Sequence, residues 1–196
     1  MHMKRSGLFT SGLALLTVCL SSTVLAQGQP DPRPVVAAQV EAMKLLHAMN
    51  GEWRGPAWTL LPSGEKLALT QTERIGPMLQ GAIKVVEGRG YNRDGELVFN
   101  AFGVVSFDPG TRSYSLRSYS QGRTGNFALN VTDNGYSWEI PAGPATIRYT
   151  AVVKDGTLRE IGERFLPGKE PLRIFEMNLT RVADSNWPSS GAVGPN

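Results

Sequence analysis

Beyond Gly51 the chain alternates apolar and polar side chains with a period of two. Phe127–Val131, Tyr136–Ile140, Ile147–Val153 and Phe175–Arg181 all carry the pattern, which is that of strands with one buried face. Before Gly51 the period differs. Val36, Val40, Met43, Leu45 or Leu46, and Met49 recur at helical spacing, predicting a helix over 35–49 that Asn50-Gly51 stops. Turn signals divide the remainder at short intervals: Pro62–Gly64, Asn92–Gly95, Asp108–Gly110, Asp133–Gly135, Lys154–Gly156 and Pro167-Gly168. About ten strands result, near 52–60, 66–75, 81–90, 97–107, 113–120, 125–132, 135–140, 145–153, 157–166 and 172–182. Hairpin-length connections make sequence neighbours pair antiparallel. The expected fold is all-β, a single up-and-down barrel of about ten strands with one N-terminal helix, because closure removes exposed edges. A two-sheet sandwich is the alternative, but its longer crossover connections are not seen.

A barrel entered from a helix has an end to seal. Gly51 and Trp53, in "HAMNGEWRGPAW", stand at that junction. The indole can lie across the end, burying roughly 200 Å², and Gly51 lets the turn pass close by. Arg181 in "FEMNLTRV" sits on the last strand, placed to stack on the indole once the barrel closes.

Gly51-x-Trp53 early and Arg181 late resemble the lipocalin-like, or calycin, barrels. A bacterial family of such barrels with unassigned function is similar over about residues 40–187, through "GEWRG", "SYSQGRTGNF", "GYSWEIPAG", "IRYTAVVKDGTLREIGE" and "FEMNLTR". "GEWRG" also resembles the opening of the haem-binding nitrobindin barrels. Those use a histidine late in the chain, whereas this sequence has none after His47, so the resemblance implies no haem chemistry here.

The N-terminus changes how composition is read. Lys4 and Arg5 precede a short apolar run to Leu20, and Val24-Leu25-Ala26 sets small residues at the −3 and −1 positions before Gln27. Residues 1–26 are therefore expected to be a signal peptide, and the mature chain periplasmic or secreted. The run is short for a membrane span, and Val18 before Cys19 fits a lipoprotein site poorly. Removing 1–26 leaves 18 basic against 17 acidic residues, so the net charge falls from +3 to +1. Little positive charge is left to argue for a nucleic-acid partner. Cys19 leaves too, so the domain must hold without disulfides. Residues 27–34 read as a linker, 35–182 as the barrel domain and 183–196 as a flexible tail.

The chemistry is narrow. With one histidine and no cysteine in the mature chain, no zinc site of ordinary type is expected, and a Ser-His-Asp triad would need His47 to reach the barrel rim. No phosphate loop is present and no cofactor is implied. The alternating stripe places Phe127, Trp138, Tyr149 and Met177 on the inner face. A ten-stranded barrel is wider than the eight-stranded size that side chains just fill, which suits a small hydrophobic or amphipathic ligand bound by Phe127, Trp138, Tyr149, Met177 and Glu163. Glu163 is read as inward because it shares parity with Ile161 and Phe165. The alternative is an enzyme with Glu163 as acid or base and Tyr149 and Arg117 holding an oxyanion. It requires those three to converge in one cavity. A third reading makes the 35–49 helix a docking surface and requires its apolar stripe to be exposed.

Overall fold

A computed structural model describes residues 30–195; the leader expected at 1–26, with Cys19, lies outside that span. Helix α1 (Arg33–Met43) begins with Pro34 in its first turn, where a missing N–H costs nothing, and runs into a 3-10 helix, Lys44–Met49. The sequence predicts one continuous helix here. The tighter winding has a packing reason, since three residues per turn align Met43, Leu46 and Met49 on one edge. All three are buried, Leu46 to 1 % exposure.

Ten strands follow: β1 (Gly51–Leu60), β2 (Lys66–Met78), β3 (Ile83–Tyr91), β4 (Leu97–Asp108), β5 (Ser113–Ser120), β6 (Arg123–Thr132), β7 (Gly135–Ala142), β8 (Ala145–Lys154), β9 (Thr157–Phe165) and β10 (Leu172–Ala183). Each pairs antiparallel with its neighbour in sequence, and β1 pairs with β10, so the sheet is a closed barrel. The sandwich alternative is excluded by that closure.

One end of the barrel is stoppered. Met43, Leu46 and Met49 join Trp53, Ile75, Val105, Leu158 and Leu179 in the main apolar cluster. Two hydrogen bonds fix α1 over this end: Tyr114 Oη donates to Ala42 O at 2.8 Å, and Gln39 Nε2 donates to Phe107 O at 3.2 Å. Val35, Val36 and Leu45 remain exposed, whereas Met43 and Leu46 face the barrel. The docking-surface reading required the opposite of the latter pair.

At the closing seam Trp53 stands opposite Arg181. The guanidinium carbon lies 4.4 Å from the centre of the indole ring. Trp53 Nε1 donates to Met49 O at 2.9 Å, while Arg181 donates to Ala48 O at 2.7 Å and to Asn50 O. Gly51 has φ +142°, and a Cβ there would lie 2.5 Å from Arg181 Nη1. A side chain at residue 51 would thus evict the guanidinium that ties helix, first strand and last strand together.

The tail lies against the outer wall of β2. Arg74 stacks over the Trp187 ring at 5.4 Å, and the Trp187 carbonyl crosses Gly76 where a side chain would otherwise stand. Among the described residues no helix is long and apolar enough to cross a membrane.

Candidate ligand-binding site in the barrel lumen

Strand alternation and register decide which side chains enter the lumen. Trp138 on β7 stands opposite Tyr149 on β8, Tyr149 opposite Gly162 on β9, and Gly162 opposite Phe175 on β10. The rings form an arc along the wall. Phe127 meets Trp138 with centroids 5.0 Å apart, Trp138 stacks on Tyr149 at 4.7 Å and 15°, and Tyr149 meets Phe175 edge-on at 6.1 Å.

Glycines explain how the rings lie. A Cβ on Gly162 would sit 2.7 Å from Tyr149 Cε1 and 3.1 Å from Phe175 Cβ. The ring of Phe127 likewise folds back over Gly125. The Phe127 and Tyr149 rings therefore lie along the wall, and Trp138 stacks on Tyr149. Phe127, Trp138, Tyr149 and Phe175 are only half-buried, in contrast to Leu46, Leu158 and Leu179 at the stoppered end. The lumen is filled by side chains at the helix end and retains open apolar surface toward the far mouth.

Between the aromatic arc and the stopper lies a polar belt. Glu160 is inward on β9, 9 % exposed, and accepts a hydrogen bond from Tyr136 Oη at 2.7 Å. Glu73 is inward on β2, folded over Gly88, and accepts from Gln71 Nε2 at 2.7 Å. Burial raises the Glu160 carboxyl to about 7, opposed by the Tyr136 hydrogen bond. Part of Glu73's surface stays open, yet the surrounding barrel atoms desolvate its carboxyl and raise it to about 8; the charges of Glu160 and Glu87 add to the rise. Burial, then the nearby Glu160, raises Tyr149 to about 12 and holds Tyr136 well above the usual phenol value. Neither carboxylate has a Lys or Arg within ion-pair distance among the described residues.

Gln71 is 2 % exposed, and its Oε1 has no hydrogen-bond partner. Lys84, also 2 % exposed, belongs to the stopper, where it donates to Asn50 Oδ1; burial lowers it to about 8.

The structure brings Phe127, Trp138, Tyr149 and Met177 to the inner wall, as the stripe predicts. It does not bring Glu163 or Arg117 there. Glu163 is on the outer wall, 3.8 Å from Arg173. Its apparent companions Ile161 and Phe165 are outer residues too, Phe165 shielded by Arg148 at 4.7 Å. Arg117 is exposed beside the Tyr119 hydroxyl at 3.3 Å. The trio Glu163, Tyr149 and Arg117 therefore does not converge, and the inward carboxylates are Glu160 and Glu73. Both were legible from parity: Leu67, Leu69, Gln71, Glu73 and Ile75 form one stripe, as do Leu158, Glu160 and Gly162.

Among the described residues no three His, Cys, Asp or Glu side chains gather as a metal centre. Two depressions, of about 580 and 510 Å³, lie along β3–β6 and along β1–β3 with the end of β10; outward residues such as Phe102 and Tyr119, or Arg54 and Arg74, line them, and Trp53 and Glu73 also touch the second.

No protein-family model matches the chain, and no curated protein matches it. Among solved structures it is similar to the crystal structure of Rv2717c from M. tuberculosis, with TM-score 0.55 and 13 % sequence identity over 71 % of this chain and 96 % of that one. At that identity the likeness is one of fold, and the chain is accordingly an all-antiparallel ten-stranded closed barrel of a kind compatible with ligand binding.

Proposed function

We propose that this protein is an exported lipocalin-like barrel that binds one small amphipathic molecule in its lumen. The leader motif at residues 1–26 supports the periplasm or the exterior as its location. The observation that carries the binding reading is the division of the lumen. One end is filled by the helix; the other keeps an arc of four half-buried rings, two of them (Phe127 and Tyr149) folded over glycines, with desolvated polar groups beneath. A protein needing only stability gains from filling such space. An apolar wall with a few convergent polar groups is the ordinary form of a small-molecule pocket.

Titration with the neutral dye Nile red tests this. Its emission should rise and saturate at one dye per chain. Gly103→Leu narrows the lumen, because a Cβ there meets Leu116 Cδ1 at 3.0 Å and Val86 Cβ at 3.9 Å; it should weaken the dye by at least about tenfold while thermal unfolding stays cooperative. Non-saturable binding, or equal binding by a folded Gly103→Leu protein, rules the lumen out.

A further inference from the structure

We infer that the molecule held in the lumen is an organic cation, a protonated amine on an apolar or aromatic body, with its N–H groups on Glu73, Glu160 and Gln71 and its body along the aromatic arc. This rests on the ligand-binding reading above and names the ligand's class.

Once both carboxyls are ionised, the polar belt is made almost wholly of acceptors. Glu73 and Glu160 face a shared interior, and among the described residues the side-chain donors that reach them are Gln71 Nε2 and Tyr136 Oη, both at 2.7 Å. With Glu73 ionised, the Gln71 amide has one orientation: its NH₂ turns to the carboxylate and its carbonyl is left over. That carbonyl is the unpartnered Oε1, on a side chain 2 % exposed. A buried unmet acceptor costs about 1–3 kcal/mol, and a ligand N–H satisfies it. An ammonium group also supplies the positive charge that the two carboxylates lack. The buried Lys84 is turned to Asn50 in the stopper, and Arg181 is held by Ala48 O and Asn50 O over Trp53.

Other ligand classes fit less well. A carboxylate or sulfate head would add a third negative charge. A neutral alcohol brings one donor to several acceptors and no charge. A quaternary ammonium brings charge but no N–H for Gln71. Above the belt, the faces of Trp138 and Tyr149 suit a cation's methylenes and favour positive charge. Burial raises both carboxyls, so binding a cation releases protons from them. The groups facing them are Gln71, Tyr136 and Tyr149, with Glu87 across the wall from Glu73. Affinity for the cation should therefore rise with pH up to about 8 and then level off.

Calorimetry on the full barrel with four ten-carbon probes below their micelle concentrations tests the assignment: decylamine, decyltrimethylammonium, decanol and decyl sulfate. Decylamine should bind tightest, and at least about tenfold tighter near pH 8 than near pH 6. Glu73→Gln combined with Glu160→Gln keeps both shapes. It should weaken decylamine at least about tenfold while changing decanol by less than about threefold. Decanol or decyl sulfate binding as tightly as decylamine, or an unchanged amine affinity in the double variant, overturns the cation assignment and leaves lumen binding intact. If none of the four binds, the lumen reading itself falls.

Discussion

Three side chains desolvated by the barrel are at odds with their surroundings, and each contributes its own slope to stability against pH. The folded pKa values of Glu73 and Glu160 stand above the ordinary carboxyl value of 4.5, at about 8 and about 7. Between the two limits the folded state holds protons that the unfolded state has released. Their contribution is therefore complete at low pH and is lost as pH rises to about 8. Lys84 behaves oppositely: its folded value of about 8 lies below 10.5, so above pH 8 the unfolded chain binds the extra proton and stability rises again. Denaturation with urea across pH should thus show a stability minimum near pH 8. Glu73→Gln should flatten the falling limb, and a monotonic rise from pH 5 to 8 would contradict the burial of these carboxyls. The same residues show where parity reading failed. Glu163 sits between Ile161 and Phe165, both on the outer wall, the latter under Arg148, whereas the inner position before it is Gly162, with no side chain to signal its direction.

The stopper is the element on which the filled half of the barrel depends. Leu46 is 1 % exposed and stands on a 3-10 turn whose three-residue period brings Met43 and Met49 to the same edge. Leu46→Ala should cost about 2–5 kcal/mol in chemical denaturation, because the rigid strand ends around it collapse poorly. A cost below about 0.5 kcal/mol would mean that the helix packs elsewhere. Helix and strands were legible from period alone, and so was the Trp53–Arg181 seam, since the residues sealing the end must come from the first and last strands. The switch from α to 3-10 winding was not legible, because both windings present Met43 and Leu46 on one face and only the receiving barrel end selects between them. The two-residue extension of β6 to Arg123 was missed as well: Arg123 and Thr124 are polar on both faces of a hairpin tip, and pairing with Ser120 and Tyr119 alone defines them as strand.

At the scale of the molecule, closure follows from short connections, which let neighbours pair in order until β10 meets β1. What the sequence leaves unstated is how far the lumen is filled. That depends on rings lying against Gly125 and Gly162, a three-dimensional relation across β6 to β10 that no one-dimensional stripe encodes. The four tryptophans sample the consequences separately: Trp53 is locked in the stopper, Trp58 lies outside beneath Lys66 at 3.6 Å, Trp187 lies outside beside Arg74, and Trp138 alone faces the lumen. The most direct measurement is the set of indole N–H resonances during titration with decylamine. The account predicts that Trp138 shifts and saturates at one equivalent while Trp58 and Trp187 stay in place. Shifts at Trp58 or Trp187 with Trp138 unmoved would contradict it.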